Sequence, residues 1–124
     1  MDILLYIAAF LAVGMGLVHS LLGEKYIITP LLRQDNLPVL FGSTDFTIRT
    51  IRFAWHITTL AWWGLASILI LMAHPPLETE TVGMVVGITF LAHFLTALIG
   101  SKGKHMSWLA FLIIGIIALY AAKV

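Results

Sequence analysis

Residues 49–64 read RTIRFAWHITTLAWWG. Two arginines and a histidine lead into an apolar, aromatic run, and no ionisable side chain follows His56 until His74. Whether that run faces water or lipid decides the fold, and the chain as a whole gives the answer. Of its 124 residues 60% are hydrophobic and only 10% charged, with a mean hydropathy of +1.03, far from the balance of a water-soluble domain. The expected class is an all-α integral membrane protein folded as one domain, a four-helix bundle of up-down topology covering residues 1–124.

A hydrocarbon core of about 30 Å needs about 20 apolar residues per helix. Working outward from the opening stretch, four segments meet or approach that length: 3–22, 46–73, 82–100 and 106–122. Ser43, Thr44 or Asp45 can cap the second, and His74-Pro75-Pro76 stops it because proline lacks an amide proton and disfavours helix before it. Gly100 and Gly103 separate the third from the fourth. The opening MDILLY is acidic and its apolar run long, so the first segment reads as a retained helix rather than a signal peptide. The connection 23–45, with Pro30, Pro38 and many apolar residues, is expected to be an amphipathic loop on the membrane surface or over a recess.

Lys25, Arg33, Arg49, Arg52, Lys102 and Lys104 fall on one side of such a bundle and only Lys123 on the other. Positive residues favour the cytoplasm, so the first and third loops are expected inside and both termini outside, on the periplasmic side of a bacterial inner membrane. The basic rim suits anionic lipid and calls for no nucleic acid. The run from HSLLGEKY through RFAWHITTLAWWG resembles the sequences of small bacterial four-helix membrane proteins, a likeness that carries over no functional residue.

Small residues let helices approach where lipid offers no hydrophobic drive. Ala8, Ala12, Gly16 and Ser20 form such a stripe on the first helix, and Gly83 and Gly87 open another on the third. Either can serve inside the bundle or between copies in a homo-oligomer. The polar residues stand out against this background. His19, His56 and His93 are expected at a similar depth near the inner end of three different helices, and Arg49, Arg52, His56, Thr59 and Trp63 share one helix face. Ionisable groups in a span usually face the protein interior, where they bind, relay protons or pair. Arg49, Arg52 and His56 are therefore expected to line an inner recess, with Glu24 as counter-charge, although an arginine so near a helix end can also snorkel to the interface.

Three readings of the cluster compete. His19, His56 and His93 could ligate haem b or a divalent zinc, copper or iron ion, with Arg49, Arg52 and Trp55 completing a cofactor site. This reading leads narrowly. The histidines and arginines could instead only bridge helices, in a structural subunit of a larger membrane complex or a homo-oligomer. The third reading is a quinone, a lipid headgroup or another small anion in the recess. No cysteine, Ser-His-Asp set, phosphate loop or mid-membrane carboxylate points to catalysis or coupled transport, so an enzyme is not the expectation and no catalytic residue is assigned.

Overall fold

A computed structural model describes residues 2–124. Among them the fold is all-α: α1 (Asp2–Gly23), a π-helical turn (Glu24–Ile28), α2 (Thr29–Leu32), α3 (Asp45–Met72), α4 (Thr79–Gly100) and α5 (Ser107–Ala121). Asp2–Leu32 runs on as one helix of 31 residues, so there are four principal helices, as expected from the sequence. Asp2–Leu32, Asp45–Met72 and Thr79–Gly100 are each long and apolar enough to cross a membrane. The fourth is shorter. The 15 residues of α5 rise about 22 Å at about 1.5 Å each, less than a hydrocarbon core of about 30 Å.

Helices adjacent in sequence are adjacent in space. α1 packs on α3, α3 on α4 and α4 on α5, while α1 makes no comparable contact with α4 or α5. The bundle is therefore an open row with α3 and α4 in its middle. Each neighbour is antiparallel, as Val13 with Trp63 and Glu24 with Arg52 show for α1 and α3.

Close approach holds the row together. A Cβ on Gly16 would stand 2.7 Å from Trp63 Nε1 and 3.1 Å from Thr59 Cγ2, so only glycine lets α3 lie this near to α1. Gly87 and Gly115 do the same for α4 and α5, where a Cβ on either would come within 3.2 Å of the other's carbonyl oxygen. Gly83 faces Ala122 of the same chain. Glycines of both seams are thus used within the chain, where tight van der Waals contact replaces the missing hydrophobic drive.

The ends of α3 follow local chemistry. The Asp45 amide donates to Ser43 Oγ at 3.3 Å, and Asp45 places a carboxylate in the first turn, where the helix dipole favours it. The helix stops at Met72, ahead of the Pro75-Pro76 pair.

The connection 23–45 departs from expectation, because its first part is helical to Leu32. Pro30 suggests a break, since its ring excludes the carbonyl four residues back. The π turn resolves the conflict by lengthening the register: the Thr29 amide bonds the Glu24 carbonyl, and Pro30 enters at the start of α2, where no amide is needed. Beyond Leu32 the chain loops through a tight turn in which Leu40 and Ser43 exchange backbone hydrogen bonds of 3.0 and 3.3 Å. Phe41 and Gly42 at its tip have φ of 54° and 87°.

Candidate functional site

α3 carries the site, and its neighbours decide what each side chain can do. On the α1 side, His56 Nε2 lies 3.0 Å from Glu24 Oε2, and Arg52 Nε donates to Glu24 Oε1 at 3.0 Å. Thr29 Oγ1 donates to that same oxygen at 3.1 Å. The π turn that admits Pro30 thus also brings a hydroxyl onto the carboxylate one wide turn earlier. Glu24 is the counter-charge expected from the sequence, and it serves Arg52 rather than Arg49. Arg49 turns back along its own helix, its Nε 3.0 Å from both carboxylate oxygens of Asp45.

A chain of hydroxyls continues from His56 along the α1–α3 interface. Thr59 Oγ1 donates to the Gly16 carbonyl at 3.1 Å, and Ser20 and Thr59 meet at 2.6 Å. With the Thr59 proton on Gly16, Ser20 is the donor of that short bond, and its own oxygen accepts from His56 Nδ1 at 2.9 Å. Every bond in the series is then made when both ring nitrogens carry protons, the second donating to Glu24. With one proton on the ring, at Nε2, Ser20 must turn to donate to Nδ1, and Thr59 must choose between Ser20 and Gly16. The network therefore has two proton arrangements with nearly the same heavy-atom positions.

The other two histidines lie at the same level of α3 but on opposite flanks. His19 Nε2 donates to the Trp55 carbonyl at 3.1 Å, and its ring stacks on the Trp55 indole with centroids 4.3 Å apart and planes 6° apart. Trp55 Nε1 returns a bond to the His19 carbonyl at 2.9 Å, so Trp55 joins α1 to α3 and is absent from the recess lining. His93, only 5% exposed, donates from Nε2 to the Ile57 carbonyl at 3.2 Å between the rings of Phe90 and Phe111. Its Nδ1 is buried without a partner.

Successive α3 residues, Trp55, His56 and Ile57, thus meet one histidine level, but α3 itself separates the outer rings. The expected metal set of His19, His56 and His93 is not brought together: among the described residues no group of three or more His, Cys, Asp or Glu could hold a metal ion. Depth along a helix was legible, whereas direction across the row depends on which helix stands in the middle.

Arg49, Arg52 and His56 do share a recess. It lies between α3 and α4, has a volume of about 540 Å³, and is walled by Ile48, Phe53, Leu95 and Ile99, with Thr96 and Asp45 also on its surface. Both guanidinium groups are held by Nε, and among the described residues their terminal nitrogens have no hydrogen-bond partner. Lys104 adds charge nearby, 3.9 Å from Asp45. Sequence reasoning passed over Ile48 and Phe53 on α3 and over Leu95, Thr96 and Ile99, which lie on α4 and reach the site only through the pairing of α4 with α3. Ser20 and Thr59 were visible in a small-residue stripe and a polar face, but nothing in the sequence joins them to His56. The chain matches no protein-family model, no curated protein and no solved structure.

Proposed function

We propose that this chain is a small integral membrane protein that binds an anionic group, either a lipid headgroup or a small oxyanion, in the recess between α3 and α4. One observation carries the reading: the two arginines are oriented through Nε by carboxylates, and among the described residues nothing accepts from their terminal N–H groups, in a recess with apolar walls. A planar guanidinium fixed in this way presents paired donors suited to phosphate or carboxylate oxygens. His56 lines the same opening, but both its ring nitrogens are engaged by Ser20 and Glu24, so the donors on offer are those of the two arginines. The positive-inside bias assigns the recess to the cytoplasmic leaflet of a bacterial inner membrane, with the termini on the far side. The reading ascribes binding to the site and no reaction.

The haem or metal reading receives less support, because His19 and His93 are each turned to an α3 carbonyl on opposite sides of that helix. The oligomer reading loses the glycine seams that suggested it, since they are used inside the chain.

Native mass spectrometry of the detergent-solubilised protein tests the proposal with phosphatidylglycerol, phosphatidylcholine and inorganic phosphate as probes. Phosphatidylglycerol or phosphate should be retained in preference to phosphatidylcholine, and Arg52→Gln and Arg49→Gln should each weaken that retention about ten-fold, the equivalent of about 1.4 kcal/mol. Equal retention of charged and neutral probes, or indifference to both substitutions in protein that keeps its helical circular dichroism, would refute the anion site.

A further inference from the structure

A second cavity follows the recess along the same pair of helices. Arg49, Arg52, His56, Leu60, Trp63 and Ser67 fall within about 80° of one another around α3 at about 100° per residue. The first three line the recess and the last three line a second cavity, of about 310 Å³, whose α4 wall includes Ile88 and Ala92. One helical turn separates the two along each helix, His56 to Leu60 on α3 and Leu95 to Ala92 on α4. A third cavity lies on the opposite flank of the same helix pair, beside His93, and does not belong to this series.

The lower cavity offers no free side-chain donor to an anion. Ser67 Oγ donates to the Trp63 carbonyl at 3.0 Å, and Thr89 Oγ1 to the Val85 carbonyl at 2.7 Å, so both hydroxyls are spent within their own helices. Trp63 Nε1 is engaged by the Val13 carbonyl at 3.3 Å. What remains on offer is hydrocarbon surface. From Arg52 to Trp63 the helix rises about 16 Å at about 1.5 Å per residue, about half of a hydrocarbon core of about 30 Å, which is the depth of one leaflet. Guanidinium donors thus stand at one end of an apolar track, one leaflet thickness from its other end.

Resting on the anion reading above, we infer that the ligand is an acidic lipid, with its headgroup against Arg49 and Arg52 and one acyl chain along the α3–α4 groove past Leu60 and Ala92 to Trp63. A free oxyanion would use the upper recess and gain nothing from the lower cavity. A neutral lipid would use the track and leave the arginines unanswered. The joining turn at Ala92 is where chain length should matter most.

The test compares dioleoyl-phosphatidylglycerol, dihexanoyl-phosphatidylglycerol and dioleoyl-phosphatidylcholine on the full chain, by native mass spectrometry with lipid titration. The wild type should bind the long-chain acidic lipid at least about ten-fold more tightly than either of the others. Ala92→Phe should remove that advantage while leaving dihexanoyl-phosphatidylglycerol within about two-fold of its original affinity. Ile88→Trp, at a position 57% exposed, fills the same cavity without burdening the core and should act likewise. Leu65→Phe, on the opposite flank, should change nothing. If the groove substitutions leave the long-chain lipid unaffected while Arg52→Gln weakens both acidic probes, the acyl track is overturned and the anion site stands. Equal loss of phosphatidylcholine and phosphatidylglycerol on filling the groove would mean ordinary lipid contact and also overturns the inference. Indifference of both acidic probes to Arg52→Gln would overturn the anion site beneath it.

Discussion

His56 and Glu24 meet at 3.0 Å across the α1–α3 interface, and the carboxylate that receives the imidazole also receives Arg52 on its other oxygen. One acidic group thereby fixes two side chains of the recess from outside it. Glu24 is a positioning residue: it is absent from the recess lining yet sets where Arg52 points.

Replacing Glu24 by Gln should lower both stability and binding. The pair is about one-third exposed on the glutamate side and 44% on the arginine side, so solvent screening limits the loss to about 1 kcal/mol of unfolding free energy. Binding should fall with it. Without the carboxylate that holds its Nε, Arg52 no longer presents its terminal donors to the recess, and retention of phosphatidylglycerol should drop. Denaturant titration in detergent reads the first effect and lipid titration the second. A rise in retention would mean that the orientation set by Glu24 does not serve the site.

The short Ser20–Thr59 bond should couple measurably to the histidine beyond it. Ser20→Ala leaves His56 Nδ1 without its partner, whereas Thr59→Val removes the donor to the Gly16 carbonyl, which keeps its own helical bond. Polar bonds between membrane helices average about 0.6 kcal/mol and reach about 1.7 kcal/mol in double-mutant cycles. A 2.6 Å bond within a series should lie in the upper half of that range, with Ser20→Ala the more damaging single change. Unfolding free energies of the two single variants and the double variant close the cycle, and additive effects would show that the series is only a set of separate contacts.

Two glycines should respond oppositely to alanine. At Gly87 a Cβ would stand 2.6 Å from Leu119 Cγ and 3.1 Å from the Gly115 carbonyl oxygen, so Gly87→Ala must push α5 away, at about 1–3 kcal/mol. At Gly14 nothing lies within 4 Å, and Gly14→Ala should be neutral or stabilising by up to about 1 kcal/mol through backbone entropy. Thermal unfolding in detergent compares them directly. Similar behaviour of the two would contradict the close α4–α5 approach.

How much of this was legible follows from what a linear pattern can encode. The apolar lengths of α1, α3 and α4 gave the helices, and the shared face of Arg49, Arg52 and His56 gave half of the recess, because both depend only on spacing within one helix. Glu24 was legible as a counter-charge because it lies just past the first apolar run. The other half of the recess, Leu95, Thr96 and Ile99, required knowing that α4 flanks α3 opposite α1. The same gap misdirected the histidines: His19 and His93 reach the level of His56, but α3 stands between them. Pro30 misled for a different reason, since a single π turn is enough to carry a helix through a residue that normally ends it.

The side of the membrane on which the recess opens is testable because the chain contains no cysteine, so single cysteines can be introduced without background. Asp35→Cys and Lys102→Cys lie in the two basic connections, and Glu78→Cys lies between α3 and α4 at the opposite end of the row. With the positive-inside bias, a membrane-impermeant maleimide applied to intact bacterial spheroplasts should label Glu78→Cys and should reach the other two only after permeabilisation. The recess shares its end of α3 with Arg49 and Arg52, so its leaflet follows that of Asp35 and Lys102. Labelling of Asp35→Cys from outside would move the site to the periplasmic leaflet. The geometry of the arginines would be unchanged, but the acidic lipid available to them would be that of the other monolayer.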